Sequence, residues 1–133
     1  MIPSITLFYA SLLGLLLLGL SARVVMLRRR HQVGIGTGSV GALERAVRVQ
    51  ANFGEYVPFA IVLLALLEWS AVWSWMIHAL GAVLVVGRLL HAQGLSKSGG
   101  VSSGRFVGTL LTWLVLLVAA LAGIATGVGQ ALG

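Results

Sequence analysis

Glu44-Arg45-Ala46-Val47-Arg48-Val49-Gln50-Ala51-Asn52-Phe53-Gly54-Glu55-Tyr56-Val57-Pro58 sets carboxylates, guanidiniums, amides and a phenol at the head of an apolar run continuing from Val57 to Leu67. At about 100° per residue, Arg45, Arg48, Asn52, Glu55 and Tyr56 fall within an arc of roughly 100°. Glu44 joins the edge of that arc, whereas Gln50 points to a different side. A charge facing lipid at a helix centre costs at least about 2.5 kcal/mol, so a polar stripe entering a membrane must face protein or water. The stripe is therefore expected to line a crevice. Pro58 lacks an amide hydrogen and frees the Gly54 carbonyl, which predicts a bend at that level.

The rest of the chain fits a membrane protein. Of its 133 residues, 59% are hydrophobic and 9% charged, and there is no cysteine. A soluble domain is nearer half apolar and about a quarter charged. Disorder, a disulfide scaffold and a cysteine metal site are excluded. A formal charge of +6 would ordinarily suggest nucleic acid, but so few charges in so apolar a chain leave no basic surface for it.

Apolar stretches at residues 5–27, 42–68, 72–91 and 105–128 are each long enough for a span of roughly 20 residues. They predict an all-α fold, a single four-transmembrane-helix bundle covering residues 1–133. Ser70 is a candidate cap for the third span. The first stretch lacks a basic region before it and is followed by Arg28, Arg29 and Arg30, so it reads as a span whose start is translocated rather than a cleaved signal. All nine basic residues flank the first and third connections. The positive-inside rule makes that face cytoplasmic and puts both termini outside it. Trp69, Trp73 and Trp75 cluster at the opposite face, where indoles favour the interface.

Ala119, Gly123 and Gly127 in the fourth span, and Gly14 and Gly19 in the first, are spaced to let helix backbones approach in lipid. Gly36-Thr37-Gly38-Ser39-Val40-Gly41 matches GxGxxG, but no strand precedes it, so it reads as a loop. The run 28–31 is suited to anionic headgroups, although topology accounts for most of it. His31, His78 and His91 lack close spacing, and no metal site is expected. Asp is absent, so no Ser-His-Asp set exists.

The stripe itself suits a zwitterion with several carboxylates. Arginine forks bind carboxylates, Glu55 receives an ammonium, and Asn52 offers both donor and acceptor. The same residues would also serve as an internal Arg48–Glu55 network that only holds helices together.

Arg48-x-Gln50-x-Asn52-x-x-Glu55-Tyr56-x-Pro58, preceded by Glu44-Arg45, resembles the signature of the MAPEG family, membrane-associated proteins in eicosanoid and glutathione metabolism. Gly87-Arg88-Leu89-Leu90-His91-Ala92-Gln93-Gly94 resembles the end of that family's third helix, especially in its bacterial branch. The resemblance implies a homotrimer of four-helix subunits in the cell inner membrane, with glutathione as co-substrate between neighbours toward the cytoplasm and no metal. It assigns Arg48, Asn52, Glu55 and Tyr56 to glutathione, Gln50 to the adjacent subunit's site, and Arg28 to a glutathione carboxylate. Arg88, His91 and Gln93 join the substrate-binding set. Arg105 matches the arginine that activates the thiol at the start of helix four, making it the candidate catalytic residue. Where well-studied relatives have tyrosines, this chain has His91 and Leu95.

Two activities follow from the resemblance: glutathione transfer to a lipophilic electrophile, or reduction of a hydroperoxide, the apolar substrate coming from the bilayer. A non-catalytic lipid-binding scaffold of the same fold is the first alternative. The second, a small multidrug-type transporter, would place a lone carboxylate in an apolar first span, and this first span has none.

Overall fold

In lipid a backbone N–H or C=O can be satisfied only within its own segment or a closed sheet, so long apolar stretches become helices. The computed structural model describes residues 2–97, 100 and 102–133, with the side chains of 95 and 96 excepted. Its elements are α1 (Ser4–His31), α2 (Gly41–Trp69), α3 (Ser74–Lys97) and α4 (Ser103–Leu132). All four are long and apolar enough to cross a membrane. At 28 residues, α1 rises about 42 Å, beyond the roughly 30 Å hydrocarbon core.

The helices outrun the apolar stretches because polar residues at their ends continue the turn outside the hydrocarbon. α1 carries Arg28 to His31 in its last turn and stops at Gln32, which adopts a left-handed φ of 54°. The Arg28 guanidinium then donates through Nη1 to the carbonyls of Val33, Gly34 and Gly36 at 3.4, 3.3 and 2.8 Å. The connection thus folds around Arg28. Gly36 and Gly38 take φ of +70° and +55°, conformations that glycine adopts freely. The GxGxxG motif is a loop, with no strand among the described residues.

Ser70 does not open the third helix. It ends α2, its N–H donating to the Leu66 carbonyl at 2.9 Å, and Ala71 follows with φ 58°. That left-handed residue turns the chain, so α3 starts at Ser74 rather than 72. α2 itself runs on through Pro58.

α2 and α3 touch each other and both remaining helices, whereas α1 and α4 make no contact among the described residues. The core is a ladder of Val49, Phe53, Val57, Ala60, Leu64 and Leu67 on α2, met by Leu13, Ile77, Leu84, Val115 and Ala119. Leu15, Leu18, Leu114, Leu117 and Ile124 point outward, as lipid-facing residues do.

Helix approach is not where the small-residue spacing predicts it. A Cβ placed on Gly14, Gly19 or Gly127 would meet nothing within 4 Å, and on Gly123 only Leu67 at 4.0 Å. Ala119 alone of that set is enclosed. The close approach instead joins α3 and α4: a Cβ on Gly108 would lie 2.5 Å from the Gly87 carbonyl oxygen and 2.6 Å from the His91 nitrogen. Glycine there admits backbone against backbone.

At the tryptophan end, Pro3 precedes α1 and no side chain caps the helix locally. The Glu68 carboxylate at the end of α2 takes that role, accepting the N–H groups of Ile5 and Thr6 at 2.9 and 2.7 Å. Tyr9 packs on Gly81 of α3 and its hydroxyl is 3.2 Å from His78 Nδ1.

Candidate functional site

The stripe of α2 begins at the basic end of the bundle. Arg45 is half-buried and its Nε is enclosed without a hydrogen-bond partner among the described residues. Two turns apart, Arg48 and Glu55 form an ion pair of 3.9 Å with side chains 59% and 52% exposed. A pair so open to solvent contributes at most about 1 kcal/mol. Its groups remain free to exchange each other for a ligand's charges. Asn52 and Tyr56, on the same face, are half-buried.

Beneath the stripe lies Arg88 of α3, only 1% exposed. Its Nη2 donates to Asn52 Oδ1 at 2.7 Å and its Nη1 to Thr112 Oγ1 of α4 at 3.4 Å. The guanidinium carbon stands 5.9 Å from the Phe53 ring centroid, a cation–π contact. Glu55 and Tyr56 lie within electrostatic reach of it. One turn on, His91 is also enclosed, at 2% exposure, with Nδ1 unpartnered among the described residues. It occupies the α3–α4 seam opposite Gly108.

The remaining expected residues lie apart. Gln50 faces α1, its Nε2 donating to Ser21 Oγ at 2.7 Å. Arg28 holds its own loop. Gln93 borders a hollow of about 340 Å³ with Leu90, Gly94, Lys97 and Ser102. Arg105 is exposed in the first turn of α4, where Ser102 Oγ caps its backbone N–H at 3.3 Å. It stands at the mouth of an apolar groove of about 340 Å³ walled by Phe106, Thr109, Leu110 and Trp113. No residue of α2 lines that groove. One chain therefore brings Arg48, Asn52, Glu55, Tyr56 and Arg88 together and keeps Arg105, Gln93, Gln50 and Arg28 separate.

Thr112 and the groove walls escape a reading of the sequence. The available signal was a hydroxyl in an otherwise apolar stretch, four residues after Gly108. Thr112 donates to the Gly108 carbonyl at 2.8 Å. No group of three or more His, Cys, Asp or Glu residues placed to hold a metal occurs among the described residues.

Comparison with known proteins agrees with the sequence motif. The model of the MAPEG family matches residues 6–125. The chain is 39% identical over 116 residues, 87% of each protein, to "Inner membrane protein YecN" of Escherichia coli strain K12. The protein of the same name from Escherichia coli O6:H1 matches equally.

Proposed function

This chain is a member of the MAPEG family and an integral multi-pass membrane protein, and from that premise we propose that it is a glutathione-dependent transferase or peroxidase acting on lipophilic substrates. The observation that carries the reading is the Arg48–Glu55 pair, left open on a membrane helix beside Asn52 and Tyr56. A purely structural pair would be expected to lie between helices. An open one offers a cation to a glutathione carboxylate and a carboxylate to its ammonium.

The chain has no cysteine, so the reacting sulfur belongs to glutathione. A free thiol ionises near pH 8.5, and a neighbouring cation favours thiolate at lower pH. Arg105 is proposed for that role, and the apolar groove at its side supports an electrophile arriving from lipid. In transfer, a bond forms between the thiolate sulfur and the electrophilic carbon as the leaving group departs. In peroxide reduction, two glutathiones give two electrons and become the disulfide, while the hydroperoxide becomes an alcohol and water.

The stripe and Arg105 line different parts of one chain, which favours a homotrimer in which neighbouring subunits complete each site. Gln50 and Arg28 would serve a neighbour's glutathione in that assembly. The basic end is proposed to face the cytoplasm, with both termini on the other side.

The test is the protein purified in detergent, assayed for glutathione binding, thiolate absorbance and conjugation of a general electrophile. Arg105→Ala should keep binding and lose thiolate; unchanged absorbance would remove Arg105 from the mechanism. Arg48→Ala and Glu55→Ala should each weaken binding about tenfold or more. Wild-type affinity in both would return the pair to a structural role. His91, enclosed where relatives have a tyrosine, favours one second reading, a lipid-binding scaffold. Binding without turnover would select it.

A further inference from the structure

Arg88 is a cation in the interior of a membrane bundle, and the Arg48–Glu55 ion pair does not include it. Its contacts form a chain with a single direction. Thr112 spends its hydroxyl hydrogen on the Gly108 carbonyl at 2.8 Å, leaving only lone pairs for Arg88 Nη1. On the other side Nη2 meets Asn52 at 2.7 Å.

A guanidinium has five donors and no acceptor. The Asn52 atom facing it must therefore be the carbonyl oxygen, and the amide nitrogen must face away. An asparagine is normally ambiguous in this respect, because its two ends can exchange. Here the partner removes the ambiguity. Nδ2 has no partner among the described residues and is not among the enclosed unpartnered atoms. Asn52 shares its helical face with Arg48, Glu55 and Tyr56, so the amide nitrogen is the end it has left to offer on that face.

We infer that Arg88 is a positioning residue that fixes Asn52 as a pure hydrogen-bond donor toward the open face, so that this point of the site takes a carboxylate or carbonyl oxygen of the ligand and rejects a donor. Arg88 does not touch the ligand. Its charge, lacking a paired carboxylate, adds an attraction for an anionic group placed beyond Asn52, and hydrogen bonds polarised in series strengthen one another. The ligand's identity as glutathione rests on the function proposed above; the polarity of Asn52 does not.

The experiment has a ligand-free arm and a ligand arm. Without ligand, Asn52→Asp puts an acceptor-only group against Arg88, and its thermal midpoint in detergent should equal or exceed that of the wild type. Asn52→Leu removes the acceptor and should fall well below. If Asn52→Asp falls as far as Asn52→Leu, Arg88 does not face the carbonyl oxygen and the inference is overturned.

With glutathione as the probe, Asn52→Asp should weaken binding about tenfold or more, because it has no donor to offer. Unchanged affinity would overturn the donor assignment. Arg88→Gln, which can donate or accept and so frees the amide to flip, should weaken binding about tenfold in the wild-type background. It should add no more than about twofold in an Asn52→Ala background, since coupled residues are not additive. The same tenfold loss in both backgrounds would make Arg88 a direct ligand contact. A wild type that binds no glutathione would defeat the proposed function alone, and the thermal comparison would still decide the polarity of Asn52.

Discussion

The two halves of α4 are built from similar residues and behave in opposite ways. Toward the basic end, Gly104 and Gly108 lie backbone to backbone against Gly94 and Gly87 of α3. Beyond Ala119 the helix packs more loosely, with Ala122 still against the core but grooves opening on either side. A groove of about 390 Å³ separates it from Phe59, Leu63 and Leu66 of α2, and one of about 330 Å³ from Val72, Trp73 and Met76 beside α3. Glycine occurs in both halves. The difference is what stands opposite: glycine facing glycine lets two helices close, whereas Gly123 and Gly127 share their groove with leucines and a phenylalanine. Length adds to this, because α4 has 30 residues and α3 has 24. With the two matched at the basic end, the surplus of α4 falls at the other.

The contrast breaks most directly at Gly108. A Cβ there would press on the Gly87 carbonyl oxygen and on the nitrogen and Cβ of His91, none of which is the far end of a flexible side chain, so Gly108→Ala should destabilise by about 1–3 kcal/mol. Gly108→Val should abolish the α3–α4 packing, read as loss of a monodisperse species in detergent. A midpoint for Gly108→Ala equal to that of the wild type would end the distinction between the halves. A smaller effect is expected at Glu68, which ties the far end of α2 to α1 without help from α4. Glu68→Gln keeps one acceptor and loses the charge, and should cost about 1–2 kcal/mol in thermal or denaturant unfolding. Gly127→Ala, with open space around it, should stay within about 0.5 kcal/mol of the wild type. A loss at Gly127 as large as at Gly108 would mean that the groove beside α2 is closed in the assembled protein by a neighbouring subunit.

The sequence made the four helices legible because span length and apolar content are properties of each segment alone. The stripe was legible for the same reason: Arg48, Asn52 and Glu55 share a face by periodicity, with no knowledge of a partner. Glu68 was not, because its partners are backbone amides more than 60 residues away. Arg88 was read as a residue of the site, but its enclosure depends on how α2, α3 and α4 are rotated about their axes. Nothing in Gly87-Arg88-Leu89 encodes that rotation. Within one chain, small-residue spacing does not mark the close approach in the first and fourth helices, because it records which faces allow close approach, not which faces have a glycine across from them.

The Glu68 clasp also bears on the order in which the chain assembles. Ile5 and Thr6 belong to the first turn of α1, whose amides in an uncapped helix have no intrahelical acceptor and exchange with solvent early. Their acceptor arrives only when the last residues of α2 have been synthesised and have crossed, 62 positions after Thr6. The start of α1 is therefore frayed in a nascent chain that stops short of Glu68, and slow amide exchange at Ile5 and Thr6 reports that the first hairpin has closed.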